Sequence, residues 1–241
     1  MRDDLLTWCR LREEIRWAGA TRPATGPVLG RRDGVLDFVQ TTVAARDPDR
    51  AARLLAALRQ VPAAAATGRE LSFDLLATWQ ATVLGAPGIG FRTGPAYAKG
   101  GRERYGLDPD TPQRFHRCLT QATEPDVPLP ARAARAYLDV SFFHPFRDGN
   151  ARAAMLTLYF VLRRDRVVLD LAAPLLVVVR RADDPAGALD LVRLVDVLIT
   201  ATRRRAYGAV PHGGPPSPDA DPWGWRVSGS DGETTAGTAP G

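Results

Sequence analysis

The sequence predicts a mainly α-helical bundle with one small β-hairpin. Apolar residues recur at helical spacing of three and four positions in eight separate stretches. Proline or a small polar residue stands at the start of several of these stretches, as is common in the first turn of a helix. A single segment, Gly85 to Gly101, is instead rich in glycine and has Ile89, Phe91 and Tyr97 at alternating positions.

Each expected helix has its own local signal. The first follows from Leu5, Trp8, Leu11 and Ile15, the second begins after Pro48, and the third spans 71–84 with Ser72 as its N-cap. Pro112 and Pro130 begin the next two, which end near residues 123 and 143. The stretch 151–164 is apolar almost all round and predicts a helix buried on most sides. Residues 167–181 and 189–205 complete the set.

Composition restricts the class of protein. An apolar content of 45% and a charged content of 24% are ordinary for a globular chain. All 32 basic residues except Lys99 are arginine, and the net charge is +5. The arginines are spread along the chain rather than clustered with aromatic residues, which argues against nucleic-acid binding. No apolar run is long enough to span a membrane and no signal peptide is visible, so we expect a cytoplasmic protein without membrane contact.

The segment from Phe143 to Met155, written FHPFRDGNARAAM, holds the residues with the clearest chemical meaning. His144 has an imidazole that can accept a proton near neutral pH. Gly149 belongs to a turn that enters a helix, where free N–H groups favour an anion. Asp148 beside such a site suits Mg²⁺ with substrate phosphates, and Arg152 in the first helical turn suits a phosphate. Taken singly, they could equally be a helix cap, a turn residue and a surface arginine.

These residues resemble the active-site motif of the Fic family, His-x-Phe-x-Asp/Glu-Gly-Asn-Gly/Lys-Arg-x-x-Arg. The matching positions are His144, Phe146, Asp148, Gly149, Asn150 and Arg152. The upstream stretch 91–101 resembles the target-binding flap of that family, and 174–181 resembles the segment after its active-site helix. The resemblance implies a helical extension over 1–84 and a Fic-like catalytic domain over 85–207, whereas the glycine and proline content of 208–241 predicts a disordered tail.

The resemblance also implies a compact Fic-type bundle, with the flap as its only β element, and a role for each matched residue. His144 would take the proton of a target hydroxyl, and Asp148 would hold Mg²⁺ on the nucleotide phosphates. The nucleotide would be bound around Gly149, Asn150, Ala151 and Arg152, while Phe146 would anchor the loop in the core. The flap residues Phe91, Arg92, Thr93 and Gly94 would pair with the target backbone.

Similarity to the family therefore favours transfer of AMP, or another nucleoside monophosphate, from ATP or a related triphosphate to a hydroxyl. The acceptor is expected to be a protein, with a small molecule as the other acceptor class. Two positions depart from the motif: Ala151 stands where the family has Gly or Lys, and Met155 where it has a second arginine. An apolar residue at the last position resembles the Doc branch of toxins, which transfer phosphate.

Phosphate transfer and a catalytically inactive binding module consequently stay open beside AMP transfer. The family's inhibitory Ser/Thr-x-x-x-Glu signature has no clean copy in the sequence. Control is therefore expected to come from a separate antitoxin-like partner or from expression.

Overall fold

The computed structural model describes residues 2–21 and 26–208, which belong to one unit. The tail predicted over 208–241 lies outside the described residues from position 209 onward. The boundary predicted after residue 84 stays a prediction. None of the helices in the described part is both long and apolar enough to cross a membrane.

The described residues of the first half form four α-helices, each begun by a polar cap, and one uncapped 3₁₀ turn, Trp17–Gly19. Side-chain oxygens of Asp3, Asp33, Asp47 and Ser72 accept hydrogen bonds from backbone N–H groups of the first turns, which otherwise lack partners. These helices are α1 (Asp4–Glu14), α2 (Gly34–Phe38), α3 (Pro48–Ala66) and α4 (Phe73–Leu84). The π-helical turn Val39–Val43 continues α2. The predicted Ser72 cap is confirmed, whereas α2 had no recognised signal in the sequence.

The second half supplies the helices around the predicted site, and proline stands in the first turn of several of them. They are α5 (Thr111–Thr120), α6 (Leu129–Phe143), α7 (Asn150–Arg164), α8 (Ala173–Leu176) and α9 (Pro185–Tyr207). A 3₁₀ turn, Gln121–Thr123, extends α5. The mainly α prediction is confirmed.

Two short pairs of strands interrupt the helices. β1 (Val28–Leu29) and β4 (Val167–Val168) are parallel, while β2 (Ala96–Ala98) and β3 (Glu103–Tyr105) form an antiparallel hairpin. The prediction of a hairpin within 85–101 is therefore wrong about its position, because the second strand of the hairpin lies beyond Gly101. The expectation that the flap is the only β element is also wrong.

The prediction of one helix over 167–181 is wrong. Val167 and Val168 are β-branched residues that pair with a strand distant in sequence, and only the four residues of α8 are helical. Asp170 is held instead by two hydrogen bonds of 2.6 Å from Arg205 at the end of α9. Helical spacing is a local signal, so it could not reveal these distant partners.

The core is centred on α6 and α7, which pack against each other more extensively than any other two elements in the described part. Helices α3 and α4 cover α7, and α9 covers α6. Every residue of α7 from Ala153 to Leu162 is buried, as the all-round apolar pattern predicted. The beginning of α7 and the end of α6 are thereby fixed side by side, and the loop between them holds His144.

Candidate active site

A cavity of about 1100 Å³ opens beside the loop that joins α6 to α7. Its wall is built from α3 and the turn before it, the flap hairpin, α6, the beginning of α7 and the segment that follows α8. Pockets of this size accommodate small-molecule ligands such as nucleotides. The predicted site residues on the wall are His144, Asp148, Gly149, Asn150, Ala151, Arg152, Arg92, Thr93 and Gly94.

His144 ends α6 in the left-handed region, with φ of 48°. Its Nδ1 lies 2.7 Å from the carbonyl oxygen of Ser141. A carbonyl oxygen only accepts, so Nδ1 must carry the hydrogen, and the lone pair of the neutral ring is on Nε2. Burial lowers the pKa of His144 below its ordinary value, the Ser141 contact raises it, and the charge of Arg92 lowers it again. Near pH 7 the ring is therefore neutral and able to accept a proton at Nε2.

The β2–β3 hairpin contacts the other side of the His144 imidazole. The ring of Tyr105 stacks on His144 with the centroids 4.1 Å apart and the planes 9° from parallel. Its hydroxyl donates to Glu103 over 2.7 Å, and Lys99 donates to the same carboxylate over 2.5 Å. Sequence reasoning missed these three residues, because only the fold brings the hairpin onto the end of α6. They fix the ring plane and so the direction of Nε2.

The loop after His144 is anchored by two of its own residues. Phe146 is buried and stacks on Phe73 at 5.4 Å, which confirms its predicted anchoring role. Asn150 is also buried, and its side-chain amide accepts from the backbone N–H and donates to the carbonyl of Phe146, both over 2.9 Å. Both polar atoms of the Asn150 side chain thus have a partner within the loop, and Asn150 itself begins α7 on the cavity wall.

Gly149 is required at the turn into α7. Its φ is 77°, and a Cβ there would collide with Nε2 of Gln80 and come 3.0 Å from Nη2 of Arg152. Gln80 is fully buried in α4 and donates to the carbonyl of Asp148 over 2.6 Å, a support that the sequence did not indicate. No side chain caps α7, and the residues of its first turn line the cavity, so the uncapped N–H groups of that turn favour an anion there.

Replacement of Gly149 by alanine is expected to lower the unfolding free energy by about 1–3 kcal/mol and to reduce activity. The new Cβ would strain the left-handed turn and displace Gln80 from the Asp148 carbonyl. Urea unfolding followed by tryptophan fluorescence gives the measurement. Gly90→Ala is the matched control, since nothing lies within 4 Å of a Cβ at that position. Equal stability of the two variants would contradict the prediction.

Asp148 and Arg152 form an ion pair where the loop enters α7. The distance from Asp148 Oδ2 to Arg152 Nη2 is 3.3 Å, with side-chain exposures of 75% and 15%. Burial lowers the pKa of Arg152, and Asp148 opposes that shift. In the described part of the chain, no three His, Cys, Asp or Glu side chains gather as metal ligands. One exposed carboxylate is nevertheless what Mg²⁺ needs from a protein when phosphates and water supply its other ligands.

The predicted target-binding residues 91–94 precede the hairpin and form no strand. Phe91 packs against Phe73 at 5.4 Å. Arg92 is buried, and its guanidinium donates to the carbonyls of His144, Gly94, Gly106 and Phe143. The side chains of Phe91 and Arg92 therefore fix the segment before the β2–β3 hairpin against the core and the end of α6. Thr93 and Gly94 do line the cavity, and their pairing with a target stays a prediction.

The two residues that depart from the family motif also lie on the cavity wall. Ala151 is exposed in the first turn of α7, and Met155 is buried one turn further along. Arg180, after α8, lines the same cavity, although sequence reasoning gave it no role. Its Nε and Nη2 are buried and have no hydrogen-bond partner within the described residues, and burial lowers its pKa.

Comparison with known proteins matches this part of the chain to one family. Residues 70–162 match the model of the Fic/DOC family. Among solved structures, Fic-1 (aa 134–508) from C. elegans aligns with a TM-score of 0.52 and 19% identity, over 86% of this chain and 71% of that chain. A Fic domain containing signaling protein from Bacteroides thetaiotaomicron VPI-5482 aligns with a TM-score of 0.48 and 18% identity, over 85% and 90%. None of the curated proteins matches the chain.

At 19% identity the C. elegans protein shows a shared fold. The Fic-type bundle expected from the resemblance is thus confirmed. The family match contains α4, the flap, His144, the turn at Gly149 and Arg152. Residues 70–162, which include the candidate site, thus match the model of the Fic/DOC family.

Proposed function

We propose that the protein transfers AMP, or another nucleoside monophosphate, from a nucleoside triphosphate to a hydroxyl group, with a protein as the expected acceptor. One observation carries the proposal. A neutral imidazole with its lone pair on Nε2 lies beside the uncapped beginning of a helix in a nucleotide-sized cavity. A proton acceptor and an anion site side by side are what transfer to a hydroxyl requires.

In the reaction that we propose, the hydroxyl oxygen of the acceptor attacks the α-phosphorus of the nucleotide. Its proton passes to Nε2 of His144, the bond from the α-phosphorus to the β-phosphate oxygen breaks, and pyrophosphate leaves with that electron pair. The N–H groups at the start of α7 face the α-phosphate, and Arg152 contacts the phosphate chain. Mg²⁺ held at Asp148 would supply charge neutralisation on the phosphates. Its binding there would free Arg152 from the ion pair with Asp148.

The identity of the transferred group is testable with two labels. Full-length protein is incubated with Mg²⁺, a lysate and ATP labelled on either the α- or the γ-phosphate. Incorporation of the α-label into protein supports the proposal. Incorporation of the γ-label alone favours Doc-like phosphate transfer, the alternative that Met155 suggests. Absence of both labels, together with no nucleotide binding by calorimetry, would favour a binding module.

The acidic side of the pH profile is expected to reflect His144. A base must be deprotonated, and burial lowers the pKa of this ring below 6.5. The kcat/KM of transfer should therefore be constant around pH 7 and decrease only below pH 6.5, about tenfold per unit once the ring is mostly protonated. Initial rates from pH 5 to 8 give the profile, with nucleotide affinity and circular dichroism measured at each pH. An inflection above pH 6.5 would contradict the assignment.

A further inference from the structure

The N-terminal region contributes an arginine-lined wall to the cavity. Arg46, Asp47 and Arg50 lie at and just before the beginning of α3, and all three line the cavity that also contains Arg152 and Met155. Sequence reasoning treated these arginines as background composition, since nothing in the local pattern connects residue 50 with residue 152. Only the folded structure brings these arginines to the wall of the cavity.

Helix packing places these arginines near the position of Met155. Arg50 and Leu54 are one turn apart on α3, and Arg152 and Met155 share a face of α7. The two helices pack together, and all four residues line the cavity. Leu54 and Met155 are the buried members of these faces, whereas the Arg50 side chain is 53% exposed. The arginines thus lie on the solvent side of an apolar floor that includes Met155.

The electrostatics of this wall favour an anion. Burial lowers the pKa of Arg152, Asp148 raises it, Arg50 and Arg53 lower it further, and Asp47 raises it, so the cations of α3 act on Arg152. Asp47 is already engaged: its Oδ1 accepts from the backbone N–H of Arg50 over 2.9 Å and its Oδ2 lies 3.4 Å from Nε of Arg50. Arg46 is exposed and makes no ion pair within the described part. Nearby like charges of this kind are relieved by a bound polyanion.

We propose that Arg46 and Arg50 bind the terminal phosphates of the nucleoside triphosphate, in the place of the arginine that the motif lacks at Met155. This inference rests on the proposed function and deepens it. Guanidinium groups bind phosphate oxygens in a bidentate manner, so two of them supply the contact that a methionine cannot make. The α-phosphate then lies at the beginning of α7, the position that transfer of a nucleoside monophosphate requires.

The test compares tri- and monophosphate binding in full-length variants. Calorimetry with Mg²⁺ measures the affinity for α,β-methylene-ATP, which cannot transfer AMP, and for AMP. R46Q/R50Q is expected to bind the triphosphate about 10- to 100-fold more weakly while AMP affinity changes less than about twofold. R59Q is the matched control, since Arg59 is an exposed arginine of α3 away from the cavity wall. Adding M155R to R46Q/R50Q should restore triphosphate affinity.

The outcomes separate this inference from the proposed function. Unchanged triphosphate affinity in R46Q/R50Q overturns the inference, and α-label transfer by the wild-type protein would leave the function standing. Equal weakening for AMP and the triphosphate also overturns it, because the contact would then not be to terminal phosphates. Selective weakening without transfer by any variant supports the phosphate site and counts against the proposed activity. A wild-type protein that binds no triphosphate overturns both.

Discussion

Replacing His144 with asparagine is expected to reduce kcat/KM of transfer by about 10²- to 10⁴-fold and to leave nucleotide affinity nearly unchanged. Asparagine tolerates the left-handed backbone of this position better than most residues. Its amide N–H can also replace Nδ1–H as the donor to the Ser141 carbonyl. The substitution therefore keeps the loop in place and removes the lone pair of Nε2, the atom to which the mechanism assigns the acceptor's proton.

Single-turnover transfer from labelled nucleotide measures this effect, and calorimetry measures binding separately. His116→Asn is the matched control, because His116 is exposed on α5 and lies away from the cavity wall. Transfer by the His144 variant at the wild-type rate would exclude a role for this ring as the base. A large loss of nucleotide affinity would instead assign His144 to binding.

Replacing Asp139 with alanine is expected to lower the unfolding free energy by about 3–5 kcal/mol, the largest stability effect that the structure suggests. Asp139 is fully buried in α6 and accepts hydrogen bonds from Trp8 over 3.0 Å and from Arg12 over 2.7 and 3.0 Å. Its loss leaves the Arg12 guanidinium, itself 4% exposed, without its carboxylate in the core.

Urea denaturation followed by tryptophan fluorescence measures the change. Asp190→Ala removes the ion pair with Arg193, whose side chains are 62% and 65% exposed, and should cost no more than about 1 kcal/mol. The double variant R12M/D139L should recover much of the loss, since an apolar pair of similar volume replaces the buried charges. A loss below about 1 kcal/mol in Asp139→Ala would show that water reaches Arg12.

The parts of the structure that sequence predicted well depend on local chemistry. The Ser72 cap, the proline starts of α3 and α6 and the all-round apolar α7 each follow from a few neighbouring residues. The predictions that failed concern residues whose hydrogen-bond or strand partners are distant in sequence. Val167 pairs with Val28, and Arg92 donates to the carbonyl of His144 at the end of α6, so their local sequence could not reveal these partners.

The candidate site shows the same division. Apart from Phe146, which is buried in the core, the matched residues of the motif lie together on the cavity wall, because they are close in sequence and surround the beginning of one helix. The residues that support them, Gln80 below the turn and Tyr105 against the imidazole, come from other elements and gave no local signal. The motif therefore indicated the position of the candidate site, and only the fold showed which other elements support it.

The contact between Trp8 and Asp139 has a consequence for the order in which the chain acquires its structure. These residues are 131 positions apart in sequence, and synthesis adds about 5–20 residues per second. During translation, α1 therefore has to wait several seconds with Trp8 and Arg12 unburied before α6 leaves the ribosome. In that interval the nascent chain carries an aromatic and cationic segment whose buried carboxylate partner has not yet been synthesised.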